Sequence, residues 1–232
     1  ITCRDWSSDV CSSDLSRRLT EQFARERGLK LHVVDIQAEY GHSIPVLATL
    51  THRGQNRPCS VCGVAKRHEM NRMARDLGYD VLATGHNLDD EAAVLFGNTL
   101  SWQSEFLLRQ GPVLPEHDGL ARKVKPLCRF YEKEMAAYAI LRGIEYIYEE
   151  CPFSVGSTSI YYKELLNRLE TDRPGAKLAF YLKFIEARAS GLFIQPEDAP
   201  QAMYNCPSCG QPTQYEGKCS FCRMMEKVQP EQ

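Results

Sequence analysis

Six cysteines of this sequence fall into three pairs of the form Cys-x-x-Cys. Cys59 and Cys62 stand in RPCSVCG, and the other two pairs, CPSC at 206–209 and CSFC at 219–222, lie near the C-terminal end. A further cysteine, Cys151, closes the segment EEC. Thiolates are soft ligands that select zinc or iron–sulfur clusters. The spacing therefore predicts metal chemistry in a reducing compartment.

The two C-terminal pairs predict a zinc ribbon. Two knuckles separated by nine residues are formed by Cys206, Cys209, Cys219 and Cys222. Four thiolates complete a tetrahedral zinc site and leave no open position, as is typical of structural zinc. So short a segment lacks an apolar core, so metal would supply most of its folding energy. Its aromatic residues would either contact RNA or cover the knuckles: Tyr204, Tyr215 and Phe221.

Three roles are open to the remaining pair, Cys59 and Cys62. A thioredoxin-like pair would begin a helix directly after a strand, whereas HRGQNRP, which precedes Cys59, has loop composition. A zinc half-site would need two more ligands, for which His68 and Cys151 are candidates. A cluster or sulfur-transfer site would need a third thiolate, and Cys151 fits that requirement.

Length and composition are those of a soluble globular protein. The chain has 232 residues, 43% hydrophobic and 25% charged, enough for one sizeable domain and a small appendage. No apolar run reaches the ~18 residues of a membrane span. The net charge of −2 excludes a global basic field, so any nucleic-acid site must be a local patch. With its metal-type cysteine spacing, the protein is predicted to be cytoplasmic.

Alternating hydrophobic patterns predict an α/β fold. We predict helices over 16–28, 64–78, 87–100, 131–143, 157–170 and 175–190, strands over 29–36, 79–86 and 144–150, and a short strand and loop over 123–130. The residues at 38–45 have loop composition. The predicted fold class is a doubly wound parallel sheet with a helical C-terminal extension and a C-terminal zinc ribbon. Functional residues are then expected at the carboxyl ends of the strands.

The first fifteen residues do not follow this pattern. They have no apolar periodicity, and DWSSDVCSSDL (5–15) matches the translation of a common sequencing adapter. We therefore interpret residues 1–15 as foreign to the protein. The predicted domain organisation is an α/β domain at 16–194, a polar linker at 195–205, and the ribbon with its tail at 206–232.

Several motifs, in their order along the chain, resemble the tRNA 2-thiolation enzymes of the TtuA/TtcA type. These belong to the PP-loop ATP pyrophosphatase (adenine nucleotide alpha hydrolase-like) superfamily. The resemblance rests on RPCSVCGVAKRHEMNRMARDLGYDVLATGHNLDDEAAVLFGN, RQGPVLP, KPLCRFYEKE, ILRGIEY, EECPFS and the terminal ribbon. It runs from about Ser16 to Met225. The ribbon makes it closer to the 2-thiouridine branch than to the 2-thiocytidine branch.

The resemblance implies that three cysteines, Cys59, Cys62 and Cys151, hold a [4Fe–4S] cluster. Three protein ligands leave one iron open, and an open iron can bind sulfide. It also implies ATP with Mg²⁺ as cosubstrate, with Lys66 at the phosphates and Asp90 at the magnesium or the base.

Two residues at the end of the strand before Asp90 complete the implied nucleotide site. Gly85 would let the ligand approach closely, and His86 would contact the nucleotide or be a buried strand-end histidine. Without the resemblance, Asp90 would be read as compensating the helix dipole together with Asp89 and Glu91.

The implied activity is ATP-dependent synthesis of 2-thiouridine in tRNA. The uridine C2 carbonyl is adenylated and then attacked by sulfide, which derives from a thiocarboxylated ubiquitin-like carrier protein, and a homodimer is expected. The SGGxDS phosphate loop of the superfamily is absent from this sequence. Family order places it before Ser16, so we expect a truncated chain that does not adenylate tRNA alone. Alternatives are a zinc-binding RNA or protein adaptor without catalysis, or a tRNA thiolase of the 2-thiocytidine type. A lysidine synthetase needs no cysteine trio, so the trio argues against it.

A local basic patch is the candidate RNA surface. It lies in the segment 121–142, and its leading candidates are Arg122, Lys123, Lys125 and Arg129. A second group of cations at 157–191 alternates with aromatic residues. We expect a minority of these side chains to contact RNA and the rest to be solvated or packed in the core.

Overall fold

Short parallel strand pairs form the sheets of the α/β fold. In the computed structural model, which describes residues 2–4, 12–53, 58–117, 119–148, 151, 153–154, 156–192 and 203–228, β1 (Thr2–Arg4) pairs in parallel with β2 (Val33–Asp35). The second sheet has the order β3 (Val81–Ala83), β5 (Arg122–Val124), β4 (Val113–Leu114). There β3 and β5 are parallel, and β4 is antiparallel to β5. The predicted α/β class with parallel pairing is confirmed, although these strands form two separate sheets.

Helices account for most of the remaining described structure. Before β3 lie α1 (Ser12–Glu26), α2 (Ile36–Tyr40), α3 (Ile44–Thr51) and α4 (Pro58–Asp76). After it come α5 (Leu88–Leu100), α6 (Ser104–Leu108), α7 (Glu132–Leu141), α8 (Thr158–Asp172) and α9 (Ala176–Ala189). The ribbon contributes β6 (Tyr204–Asn205), β7 (Pro212–Thr213) and α10 (Ser220–Glu226). None of the described helices is long and apolar enough to cross a membrane.

The loop predicted at 38–45 is wrong, because α2 and α3 occupy most of it. Asp35 caps α2 by accepting a hydrogen bond from Ala38 N at 2.9 Å, and Gly41 ends the helix in the left-handed conformation. Pro45 stands in the first turn of α3, where its missing N–H costs nothing. A helix-cap reading of Asp35 and Pro45 would have found both helices.

Three of the predicted strands are wrong in extent. The strand predicted over 29–36 is reduced to β2. The predicted buried strand over 79–86 is reduced to β3, where Leu82 is buried and Val81 is 47% exposed. Residues 144–148 of the strand predicted at 144–150 have no regular structure, and residues 149–150 lie outside the described part. Apolar runs give residue type but not pairing, and no described strand lies beside 144–148 to pair with it.

The predicted boundary between residues 15 and 16 is not visible in the secondary structure. Strand β1 falls within the segment interpreted as foreign, and α1 begins at Ser12 and continues through the boundary. The helices predicted at 87–100, 131–143, 157–170 and 175–190 are confirmed as α5, α7, α8 and α9. The linker predicted at 195–205 lies mostly outside the described residues, which resume at 203.

The ribbon shares a hydrophobic core with the α/β part. This first core joins β2, α2, α3, α4 and the ribbon through Val34, Ile36, Ile44, Leu47, Ala48, Val61, Val64, Ala65, Cys206, Cys219, Phe221 and Met224. A second core lies among α5, α6, α9 and the loop after β5, with Leu88, Leu95, Leu107, Cys128, Tyr181 and Phe184. The ribbon therefore packs on the α/β part as an integral layer.

A buried ion pair fixes α5 against α9. Lys177 is 1% exposed, and its Nζ donates to Asp89 Oδ1 at 2.5 Å and also to Asn167 Oδ1. The other oxygen of Asp89 accepts the N–H of Glu132 at 2.7 Å, which ties the start of α7 to the same carboxylate. Both charges are thus satisfied by hydrogen bonds, which is the condition for a buried pair to be stable.

Replacing Asp89 is expected to be far more costly than replacing its neighbour Asp90. Asp89→Ala leaves the Lys177 ammonium buried without its counter-charge, which should lower the free energy of unfolding by about 3–5 kcal/mol. Asp90→Ala removes a helix cap and a partly exposed ion pair, for a loss of about 1 kcal/mol. Urea denaturation of both variants measures this difference, and equal losses would contradict it.

Candidate functional site

The first turn of α4 carries the unpaired CxxC motif. Helix α4 begins at Pro58, so Cys59 and Cys62 lie one turn apart on the same helix, and Cys59 Sγ lies 3.2 Å from the carbonyl oxygen of Phe153. That contact brings the loop carrying Cys151 against the helix start. The predicted meeting of the two segments is therefore present in the structure.

The contact between α4 and this loop affects the pKa of Cys62. Burial raises its pKa, the Lys66 ammonium opposes that shift, and the nearby sulfurs of Cys59 and Cys151 add to it. Lys66 itself is exposed, one helical turn after Cys62, where it can also reach an external anion. The three cysteines and the lysine proposed from sequence thus form one electrostatically coupled group.

The trio is more widely spaced than the ligands of a single metal ion. Within the described residues, the group of potential ligands whose atoms all lie within 4.8 Å of one another is at the ribbon, and it does not include Cys59, Cys62 or Cys151. A mononuclear zinc site needs every sulfur at about 2.3 Å from one ion. Within the described residues, the trio is therefore not arranged as such a mononuclear set.

Asp90 is held in place by two elements. Its Oδ2 accepts the N–H of Asn87 at 3.1 Å, and Asn87 Oδ1 accepts the N–H of Asp90 at 3.0 Å, which closes a capping box at the start of α5. Its Oδ1 lies 2.7 Å from Nζ of Lys163 on α8. The Asp90 carboxylate can therefore compensate the dipole of α5 while being held in a fixed position. Its side chain is partly exposed, so it can contact a ligand.

The end of β3 is open at Gly85. No atom lies within 4 Å of the position that a Cβ would take there, so a ligand can approach the backbone. His86 is exposed, with Nδ1 2.8 Å from Oγ1 of Thr84, which disagrees with the buried alternative for this histidine. Contact of Gly85 and His86 with a nucleotide stays a prediction.

One of the four cations of the predicted RNA patch, Lys125, forms a salt bridge. Lys125 Nζ lies 2.8 Å from the buried carboxylate of Glu91, and its side chain is mostly covered. Its prediction as a surface RNA contact is therefore corrected. Desolvation, followed by repulsion from Arg67 and Lys125, lowers the pKa of Lys123. Arg122 and Arg129 are exposed and remain candidates.

The ribbon places its thiols against α4. One ring nitrogen of His68 and the sulfurs of Cys209, Cys219 and Cys222 lie within 4.8 Å of one another. Cys206 is buried beside them, and its Sγ accepts the N–H of Cys219 at 3.3 Å. Although burial opposes ionisation, hydrogen bonds from His68 and from the backbone of Cys222 lower the pKa of Cys219 to about 6. The thiol cluster predicted at the ribbon is present, and His68 belongs to it rather than to Cys59 and Cys62.

The ribbon aromatics divide between the two predicted roles. Phe221 is buried, and its ring stacks on the imidazole of His68 with centroids 4.0 Å apart. Tyr204 and Tyr215 are exposed. Phe221 therefore covers the thiol cluster, whereas the two tyrosines remain accessible.

A substitution at Phe221 should destabilise the ribbon and α4 together. Phe221→Ala empties the shared first core and is expected to lower the free energy of unfolding by about 3–5 kcal/mol. Tyr215→Ala, an exposed aromatic in the same ribbon, should stay within about 0.5 kcal/mol. Hydrogen exchange should show faster exchange in both α4 and α10 of Phe221→Ala; loosening of α10 alone would contradict the shared core.

Known proteins resemble this chain over most of its length. The tRNA-5-methyluridine(54) 2-sulfurtransferase of Thermus thermophilus is 50% identical over 216 residues, 93% of this chain and 65% of the relative. The enzyme of the same name from Thermotoga maritima is 42% identical over 92% of this chain and 68% of its own length. The chain thus spans about two thirds of the length of these relatives. No protein-family model matches it.

A solved structure confirms the fold. The U34-tRNA thiolase NcsA from Methanococcus maripaludis, solved with its [4Fe-4S] cluster, superposes with a TM-score of 0.72 over 97% of this chain and 69% of the thiolase, at 22% identity. Fold and thiol sites define an α/β protein that carries paired cysteines. Within that class, the chain belongs to the TtuA/TtcA-type family of tRNA thiolation enzymes.

The sequence did not predict the residues that form ion pairs or hydrogen bonds with the candidate site residues. Lys163 pairs with Asp90, Glu91 neutralises Lys125, and Glu69 supports His68. Each of these partners is distant in sequence or lies within a run of charged residues. No local motif therefore predicts the pairing. Glu69 alone had a signal, since it lies on the helix face between apolar positions that pack in the core.

Proposed function

We propose that the whole protein is an ATP-dependent tRNA 2-thiouridine synthetase. The observation that carries the proposal is the coupled group of Cys59, Cys62 and Cys151 with Lys66 beside it. Membership of the tRNA thiolation family supports the same activity. The proposed reaction joins activation of a uridine C2 carbonyl by ATP to replacement of its oxygen by sulfur.

A [4Fe–4S] cluster is the proposed occupant of the cysteine trio. Soft thiolates on a helix start and a facing loop suit it. The cluster, when bound by three cysteines, supplies one iron with an open position for a sulfur ligand. Cys62 is partly buried, and the Lys66 ammonium lies near its sulfur.

Activation of the uridine requires charged groups that bind the phosphates and the magnesium ion of ATP. The uridine O2 attacks the α-phosphorus, the bond to the β-phosphate oxygen breaks, and pyrophosphate leaves. Lys66 stabilises the developing negative charge on the phosphates. Asp90, fixed by Asn87 and Lys163, positions Mg²⁺ or the base, and the open backbone at Gly85 admits the nucleotide beside His86. Sulfide then adds to C2, and AMP departs with the former carbonyl oxygen.

The proposed function also includes a sulfur source, an assembly, a structural metal ion and a tRNA-binding surface. A thiocarboxylated ubiquitin-like carrier is the proposed sulfur source, the assembly is proposed to be a homodimer, and the compartment the cytoplasm. The ribbon is proposed to bind structural Zn²⁺, for which its clustered thiols are suited. Exposed Arg122 and Arg129 are proposed to contact tRNA phosphates, with Lys123 between them.

Loss of Cys151 should abolish the cluster while loss of Cys128 should not. After anaerobic reconstitution with iron and sulfide, the 232-residue chain is expected to bind about four iron atoms and show the broad visible absorption of a cluster. Cys151→Ala and Cys59→Ala should lose this band. Cys128→Ala, which removes a thiol in the second core, should keep it.

The outcomes separate the thiolase from a zinc-only adaptor. A wild-type chain that takes up zinc but no iron would overturn the cluster and favour the adaptor. Equal loss of the band in Cys128→Ala and Cys151→Ala, with both variants folded, would show that the trio is not the ligand set.

Substitutions in the basic patch should affect tRNA binding unequally. Arg129→Gln removes an exposed charge and should reduce the slope of log K against log[salt] by about 1 for one lost phosphate contact. Lys125→Gln breaks a covered pair with Glu91, so it should lower stability and leave the salt slope unchanged. Filter binding of unmodified tRNA over a range of salt measures both. A folded Lys125→Gln variant with the reduced slope would contradict the division of the patch.

A further inference from the structure

The guanidinium of Arg67 lies along α4, next to the turn that carries Cys62. The position that a Cβ would take on Gly63 is 3.3 Å from Arg67 Nη1 and 3.7 Å from its Cζ. Long side chains on a helix lean toward its N-terminus, over the residue four positions earlier. Because Gly63 has no side chain, this position leaves room for a cation beside the cysteine trio.

Two other cations lie close enough to Arg67 for mutual repulsion. The Arg67 side chain is exposed, yet desolvation by its surroundings and then repulsion from Arg53 lower its pKa, whereas the Cys62 sulfur opposes this shift. Desolvation and then repulsion from Arg67 also lower the pKa of Lys123 on β5. Arg67 is therefore the cation that links Arg53, which follows α3, to the strand that carries Lys123.

Arg53 also belongs to a basic groove between the end of α3 and α10 of the ribbon. The groove has a volume of about 410 Å³, and its basic residues are His52, Arg53, Arg223 and Lys227. None of the described residues that line it is acidic. Nε of Arg53 is buried and has no hydrogen-bond partner in the described part of the chain. Since a buried donor without a partner costs free energy, an acceptor on a ligand would stabilise this side chain.

The arginine pair, Arg53 and Arg67, has no carboxylate partner among the residues that the structure describes. A neighbouring arginine on α4 does: Arg72 pairs with Glu39 at 2.6 Å and with Glu69. Like charges that approach each other without a counter-charge are destabilising, so the arginine pair favours the binding of an anion. A guanidinium matches the geometry of a phosphate and can bind it through two parallel hydrogen bonds.

An RNA backbone fits this arrangement better than a small anion or a protein. The cations lie on α10, after α3, on α4 and on β5, where they continue into the exposed Arg122 of the RNA patch. One phosphate cannot contact side chains on all of these elements, whereas the successive phosphates of a strand can. The basic groove is lined mainly by charged and polar side chains, whereas the centre of a protein–protein interface is apolar.

We propose that the arginine pair binds neighbouring phosphates of the RNA substrate beside Cys62, and that the basic groove extends this contact onto the ribbon. The inference rests on the proposed function, because it supplies backbone contacts for the same tRNA. Successive residues of a helix point about 100° apart, so Lys66 and Arg67 have different ligands, the ATP phosphates and the RNA. The arginine pair are positioning residues that hold the strand at the cysteine trio.

Binding of unmodified tRNA to the full 232-residue chain over a range of salt tests the arginine pair. Arg67→Gln and Arg53→Gln should each reduce the slope of log K against log[salt] by about 1, and the double variant by about 2. Arg67→Lys keeps the charge, so it should keep most of the slope. Arg25→Gln, which removes an exposed charge on α1, should leave the slope unchanged.

Two further measurements separate RNA binding from a structural role. Arg67→Gln should keep the wild-type free energy of unfolding, because no carboxylate loses its partner, and should keep the visible absorption of the iron cluster after reconstitution. Loss of that absorption in a folded Arg67→Gln variant would overturn the proposal and show that Arg67 supports the cluster. Wild-type tRNA affinity and slope in this variant would also overturn it, and weaker binding of the thiocarboxylated carrier would then assign the arginine pair to a protein partner.

Failure of the arginine pair and failure of the proposed function give different results. A chain that takes up iron and binds tRNA without dependence on Arg53 and Arg67 overturns the role of the pair and leaves the thiolase. A chain that binds tRNA through the pair but takes up no iron overturns the cluster of the thiolase and leaves the role of the pair.

Discussion

The packing of the ribbon on α4 is the contact on which the arrangement of both thiol sites depends. The ribbon supplies few apolar side chains, and the buried ones, Phe221 and Met224, contact the α/β part. In return, the ribbon covers the face of α4 that carries Val61, Val64 and His68. Each partner thus removes from water a surface that the other could not cover alone.

This mutual burial constrains the chemistry at the other end of the helix. Because a helix is stiff over a few turns, fixing its middle and second half also fixes the direction of its first turn. Cys59 and Cys62 then meet the loop of Cys151 and Phe153 in a defined position. The ribbon and the loop of Cys151 are therefore both packed against one helix, α4.

Local signals in the sequence were sufficient for the longer helices and for the identities of the thiols, although α2, α3 and α6 were missed. The Asn87 cap, the glycines Gly28, Gly78 and Gly143 after three helices, and the CxxC spacing act within a few residues, so they can be read without the fold. Long-range partners could not be read in this way. Lys125 looked like a surface cation until Glu91 was found beside it, and His68 looked like a ligand for the nearer cysteines along the chain. The strand predicted at 144–150 was wrong for the same reason, because pairing depends on what lies alongside.

Asp89 and Asp90 show why residue type and position do not by themselves assign a role. Successive residues on a helix point about 100° apart, so the two carboxylates leave α5 toward different surroundings. Asp89 enters the interior, where one oxygen pairs with Lys177 and the other accepts the N–H of Glu132, so that its charge is already paired. Asp90 pairs with Lys163 in a partly exposed ion pair and closes the capping box of α5, which together contribute about 1 kcal/mol. Because the fold gains little from Asp90, its fixed position is better explained by the ligand that it is proposed to bind.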